Sequence, residues 1–161
     1  MLWEAKPEID LREQSPVALA FVGDGILEAL VRTRLVERTR LAPSRLHAAA
    51  VHFVCAKSQC IALEHLEPLL TQEEQNVVRR GKNATKAAVA KHATPREYRA
   101  STALEALFGW LYLRNQKQRV EELFELVWES LSPSLGDALA KKSKPAKSDA
   151  APAAAPPHRQ P

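Results

Sequence analysis

Cysteine, glycine, methionine and aromatic residues are scarce in this sequence of 161 residues. Its two cysteines, Cys55 and Cys60, fall in one apparent helix, where side chains at that spacing diverge, so no disulfide between them is expected. The histidines (His47, His52, His65, His92, His158) share no metal-ligand spacing, and no zinc pattern is present. No apolar run reaches the roughly 20 residues that a membrane span needs. The opening Met1-Leu-Trp-Glu-Ala-Lys is too short and too charged for a secretory leader. A cytoplasmic protein with no membrane attachment is therefore expected. No segment alternates apolar and polar residues, so the expected class is all-α.

What is present is enough apolar material, 45% of residues, for one domain with a real core. The formal charge of +4 is unevenly spread. Residues 132–161 carry +3 of it. Residues 79–99 hold seven bases and one acid, which leaves the rest of the first 131 residues net acidic. A basic strip against an acidic remainder points to a polyanionic partner more strongly than the global charge does.

Ser15-Pro16 predicts a helix start, with a capping hydroxyl followed by proline in the first turn. The helix should run to about Arg38, with Leu19, Val22, Ile26, Leu30 and Leu35 near one stripe. Gly23 and Gly25 weaken it by about 1 kcal/mol each relative to alanine, which implies close approach of another backbone or a ligand beside Asp24. Pro43-Ser44 opens a second helix through about Leu63. Thr71-Gln-Glu-Glu74 is a capping-box pattern that starts a short helix ending near Gly81. Residues 81–95 read as a loop or frayed helix, followed by helices over about Ser101–Leu113 and Arg119–Leu131. The domain is expected to span residues 1–131, with 132–161 a disordered Lys/Ala/Pro-rich tail.

Two of these helices carry a carboxylate within an apolar stretch, Asp24 and Glu105. A lone acid on a packed face costs free energy unless something pairs with it, and two could share one cation. Asp24 lies too deep to cap its helix, so it either joins such a site or pairs with Arg32 or Arg99. Glu105 either joins it or serves as a first-turn acid after Ser101-Thr102. Glu28 either supports the same site or pairs with Arg32. Between the two acids lies Arg79-Arg80-Gly81-Lys82-Asn83, a candidate phosphate-tracking loop that Lys57 would extend. Acids for a metal beside bases for a phosphate backbone suggest phosphodiester cleavage.

Phe21-Val-Gly-Asp24-Gly-Ile-Leu-Glu28 resembles the signature helix of the ribonuclease III catalytic domain. Leu104-Glu105-Ala-Leu-Phe-Gly-Trp-Leu-Tyr-Leu resembles that family's second acidic helix. With Ala-Lys-Ser-Gln at 56–59, the Arg-Arg-Gly-Lys-Asn run and Tyr-Arg-Ala-Ser-Thr-Ala-Leu-Glu-Ala at 98–106, the order is similar to the short Mini-ribonuclease III branch over about residues 15–131. The resemblance implies a homodimeric, all-α, ribonuclease III-like endonuclease acting on double-stranded RNA. Asp24 and Glu105 would be catalytic and would hold Mg²⁺, or Mn²⁺. Lys57, Arg79, Arg80, Lys82, Asn83 and Arg99 would bind RNA. Phe21, Gly23 and Gly25 would form the dimer interface. Products would carry a 5′ phosphate and a 3′ hydroxyl, and the substrate would be precursor large-subunit (23S) ribosomal RNA. Longer members have further acids where this chain has Ala20 and Thr102. The competing readings are a non-catalytic ribonuclease III-like protein that binds RNA or the ribosome, and a helical adaptor for an acidic protein.

Overall fold

A computed structural model describes residues 10–84 and 92–142. Among them are seven α-helices and no strand, as the all-α expectation requires. They are α1 Pro16–Arg38, α2 Pro43–Val54, α3 Ala56–Leu66, α4 Gln72–Ala84, α5 Pro95–Leu113, α6 Lys117–Leu131 and α7 Leu135–Lys142. Short 3-10 turns follow α3 and α6.

Helix α5 is the axis of the fold. From Ala100 to Leu111 every residue except Glu105 is buried, the pattern of a helix enclosed on all sides. Helices α1, α3 and α4 pack around it. Its start was expected at about Ser101 but lies at Pro95. Thr94 accepts from the Glu97 backbone N–H and the Glu97 carboxylate accepts from the Thr94 N–H, closing a capping box. It ends at a turn in which Asn115 takes a left-handed φ of 58°.

Helix α1 has the bounds its sequence predicts, with Ser15 Oγ accepting from the Ala18 N–H at 3.1 Å. It crosses α5 so closely that Gly23 and Gly109 meet backbone to backbone. A Cβ on Gly23 would sit 1.7 Å from the Glu105 carbonyl oxygen, and one on Gly109 would sit 2.0 Å from the Leu19 carbonyl oxygen. Gly23 is therefore an internal packing residue and not part of an outward-facing interface. Gly25 has nothing within 4 Å of where a Cβ would sit.

Three other expectations change. The second helix is two, α2 and α3, bent by 50° about Cys55. Helix α4 does not end at Gly81. It continues to Ala84, and Gly81 is buried where a Cβ would stand 2.7 Å from Ala103 Cα. The Arg79–Asn83 run is thus the last turns of a helix and not a loop, and its glycine serves α4–α5 packing. Finally, the segment after Leu131 continues as α7 on α2, with Leu139 buried and Leu135 against the core. Leucines at i and i+4 give this short helix an apolar face, so structure packed on the core extends past residue 131. The rest of the expected tail, and Lys86 and Lys91 of the basic strip, lie outside the described residues.

Polar anchors fix the outer helices. The Thr71 capping box forms as predicted, and its Glu74, 3% exposed, also receives a bidentate pair from Arg119 at 2.8 and 2.9 Å. Burial alone would raise the Glu74 pKa. The bonds from Arg119 and Thr71 outweigh it and hold the carboxyl below its ordinary range. Phe53 stacks on Trp128 at 4.5 Å, and Arg34 lies over Phe124 and Trp128 while pairing with Glu125.

Candidate active site

The Gly23–Glu105 contact places the two predicted acids. Asp24 follows Gly23 on α1, and Glu105 belongs to the residue whose carbonyl Gly23 touches on α5. Asp24 is exposed and Glu105 is partly buried. Burial pushes the Glu105 pKa up to about 7; a hydrogen-bond contribution from the Gln59 side chain opposes the rise, and the Asp24 charge adds to it. Burial also raises the Asp24 pKa, with a further contribution from Glu28.

Neither acid is explained by the alternatives left open above. Arg32 donates instead to Glu28 at 2.6 Å, one turn along α1. Asp24 has no cationic partner among the described residues. Glu105 is not a first-turn acid, because α5 begins ten residues earlier at Pro95. Two carboxylates held near one another without a counter-charge form a site of negative potential in search of a cation. Ala20 and Thr102 are buried, and the Thr102 hydroxyl donates to the Tyr98 carbonyl at 3.1 Å. Neither adds a charge to the site, and no cluster of three metal-ligating side chains occurs among the described residues.

Gln59 was not singled out from the sequence as a site residue. It lies on α3, buried, beside Glu105. The available signal was its presence in the Ala-Lys-Ser-Gln run and an amide amid apolar positions.

The predicted RNA contacts separate by availability. Lys57 is exposed at the start of α3, where its charge acts on Glu97. Arg79 is exposed, and Arg80 donates to the Gln14 carbonyl at 3.0 Å. Lys82 pairs with Glu67. Lys82, Asn83, Arg96 and Arg99 line a groove of about 590 Å³ between α3, α4 and α5, in which Glu64 pairs with Arg96 at 2.6 Å. Arg99 has no ion-pair partner among the described residues. Of the three predicted interface residues, Phe21 is 85% exposed and Gly25 is open, one turn apart on α1, whereas Gly23 is buried. Val17, one turn before Phe21, is also exposed.

The bundle holds an acid pair on α1 and α5, and cationic side chains at the end of α4 and the start of α5, the two kinds of group that cleavage of a phosphodiester backbone calls for. The Ribonuclease III domain pattern matches residues 17–116. Mini-ribonuclease 3 of Symbiobacterium thermophilum is 47% identical over 110 residues, covering 68% of this chain and 85% of the relative. Mini-ribonuclease 3 of Clostridium tetani is 33% identical over 138 residues, covering 83% and 91%. A crystal structure of a Fusobacterium nucleatum protein superposes with a TM-score of 0.68 at 28% identity, over 74% of this chain and 96% of that one. The chain belongs to the ribonuclease III family and, within it, to the Mini-ribonuclease III branch. It is an endoribonuclease acting on double-stranded RNA, of a family that is generally dependent on divalent metal. Among the described residues no single helix is long and apolar enough to cross a membrane.

Proposed function

We propose that this chain hydrolyses duplex RNA with Mg²⁺, or Mn²⁺, at Asp24 and Glu105, as a cytoplasmic homodimer with one site per subunit that matures large-subunit (23S) ribosomal RNA. The observation that carries the site is the pair of carboxylates without a counter-cation, set side by side by the Gly23 crossing. Hard oxygen donors and unneutralised negative charge suit Mg²⁺ and Mn²⁺. When bound, the ion supplies an activated water and charge stabilisation at the leaving 3′ oxygen. The chain's own groups do the rest. Asp24 and Glu105 orient the hydrolytic centre, ionised Glu105 being the active form. Lys57, Arg79, Arg80, Lys82, Asn83 and Arg99 hold the backbone by charge and shape, so little base specificity is expected. Incubation with duplex RNA and Mg²⁺ tests this reading: fragments with 5′-phosphate and 3′-hydroxyl ends are expected. Binding without cleavage would favour the non-catalytic RNA-binding reading, and neither would favour an adaptor.

The basic end of α4 yields a graded expectation. Each lost phosphate contact lowers the slope of log affinity against log salt by about 0.9 for B-DNA, taken here for duplex RNA. Replacing Arg79, Arg80 and Lys82 with alanine should weaken binding and flatten that slope. Arg79→Ala should contribute more than Lys82→Ala, because Lys82 must first leave Glu67. An unchanged slope in the triple variant would place RNA elsewhere.

For assembly, Val17, Phe21 and Gly25 lie one turn apart on a single exposed stripe of α1. A phenyl ring this open is best covered by a second copy of the chain, with Gly25 admitting close approach. Phe21→Ala should therefore weaken dimerisation in sedimentation experiments, and a wild-type monomer at micromolar concentration would refute the assembly.

A further inference from the structure

Two carboxylates stand among the cations of the candidate RNA face. Glu67 pairs with Lys82, and Glu64 accepts from Arg96 at 2.6 Å. The first pair stands between two grooves of about 590 Å³ each. Glu67, Lys82 and Asn83 line both, one together with Arg96 and Arg99 and the other with Arg79. Helix chemistry does not account for these acids. Glu64 lies in the last turn of α3 and Glu67 is its C-cap, at the negative end of the helix dipole, where a carboxylate is disfavoured. Stability does not account for them either. The side chains of Glu64 and Glu67 are 50% and 40% exposed, and ion pairs this open contribute little. What the pairs change is the charge that the face presents. A cation beside a carboxylate offers a phosphate almost no net charge, and a phosphate that takes the cation meets the carboxylate as well.

Resting on the reading of this face as the RNA-binding surface, we propose that Glu64 and Glu67 stand in for phosphates in the free protein, holding Arg96 and Lys82 until duplex RNA takes both over, and so set how tightly the face binds. Arg79 and Arg99 line the same two grooves and have no ion-pair partner among the described residues, so they are the cations open to a first phosphate. A duplex presents further phosphates in series. Once it is anchored at Arg79 and Arg99, exchange at Lys82 and Arg96 becomes intramolecular and needs only to displace an exposed carboxylate. An isolated anion gains no such help. Arg96 thereby joins the RNA contacts, and Glu64 and Glu67 act on affinity through the cations they guard.

The test uses the full-length chain and a short blunt duplex RNA in EDTA, so that binding is read without cleavage. Affinity is measured against salt for wild type, Glu67→Gln, Glu64→Gln, Lys82→Ala and Glu67→Gln combined with Lys82→Ala, each with a thermal melt. Glu129→Gln is the control, an exposed acid on α6 that lines neither groove. Glu67→Gln and Glu64→Gln are each expected to melt as wild type does and to steepen the slope of log affinity against log salt by about 0.9. At about 0.15 M salt that corresponds to roughly 5-fold tighter binding. Glu129→Gln should change neither quantity. With Lys82→Ala already present, Glu67→Gln should lose most of its gain, because the cation it guards is gone. Equal tightening by Glu67→Gln with and without Lys82, or the same tightening in Glu129→Gln, would show a general charge effect and overturn the masking role. Wild-type affinity and slope in both glutamine variants, alongside weakened binding when Arg79, Arg80 and Lys82 are replaced together, would overturn it and leave the RNA-binding face standing. A wild-type slope in that triple variant would move RNA off this face, and the masking role would fall with it.

Discussion

Glu105→Gln is expected to abolish cleavage and at the same time to stabilise the metal-free protein at alkaline pH. The folded-state pKa of Glu105, about 7, lies above its ordinary 4.5. A group raised in this way contributes stability that is fully present below about 4.5 and is lost as pH climbs through about 7. The difference corresponds to roughly 3 kcal/mol at pH 8, which a neutral glutamine does not lose. Thermal melts with EDTA should therefore place the variant several degrees above wild type at pH 8, with the gap closing toward pH 5. Asp24→Asn should also abolish cleavage, with a stability change in the same direction because burial raises its pKa too. Both variants should retain the fold and much of the affinity for duplex RNA. Cleavage near the wild-type rate with Mg²⁺ in either variant would remove that residue from the site. Equal melting of wild type and Glu105→Gln at pH 8 would show that Glu105 carries no unmet charge.

Gly23→Ala is expected to be among the most damaging single-methyl additions to this chain. The added carbon would meet the Glu105 carbonyl oxygen at 1.7 Å and the Gly109 nitrogen at 2.7 Å. Both are backbone atoms, so no rotamer change relieves the clash and α1 must move off α5. A loss of roughly 3 kcal/mol or more follows from forced separation of two packed helices. Whatever fraction stays folded should also cleave poorly, because Asp24 rides on the displaced segment. Gly25→Ala, two residues on, meets nothing within 4 Å and removes a helix-weakening glycine, so the monomer should gain about 1 kcal/mol. Urea unfolding of the pair measures the contrast, and equal midpoints would mean that the crossing is looser than the backbone contact requires.

Much of this was legible in the residues, for identifiable reasons. Ser15-Pro16 and Thr71-Gln-Glu-Glu74 carry local capping chemistry, and local chemistry placed both helix starts. Thr94-Pro-Arg-Glu97 carries the same signal, but the polar residues that follow it hid the first turns of α5. The break at Cys55 has no glycine or proline to announce it. It is held by Gln59 and by tertiary packing, which a one-dimensional pattern does not encode. The glycines of α1 signalled close approach correctly, but not what approaches: Gly23 meets α5 of its own chain, while Gly25 is open. The acids stood out as charges in apolar stretches. Gln59, an uncharged residue that also acts on the Glu105 pKa, did not. The same blindness to partners covers Glu74, legible as a cap but not as the anchor of Arg119.

The α1–α5 crossing also bears on how the protein is made. Helices α2, α3 and α4 all lie between Asp24 and Glu105 along the chain, so the contact that unites the two acids is among the least local in the fold. During synthesis Asp24 leaves the ribosome long before the strand of chain that must lock onto Gly23. A nascent chain that has not yet released α5 holds Asp24 without Glu105, so the proposed site cannot form. On the proposed site, cleavage therefore waits until α5 has been delivered.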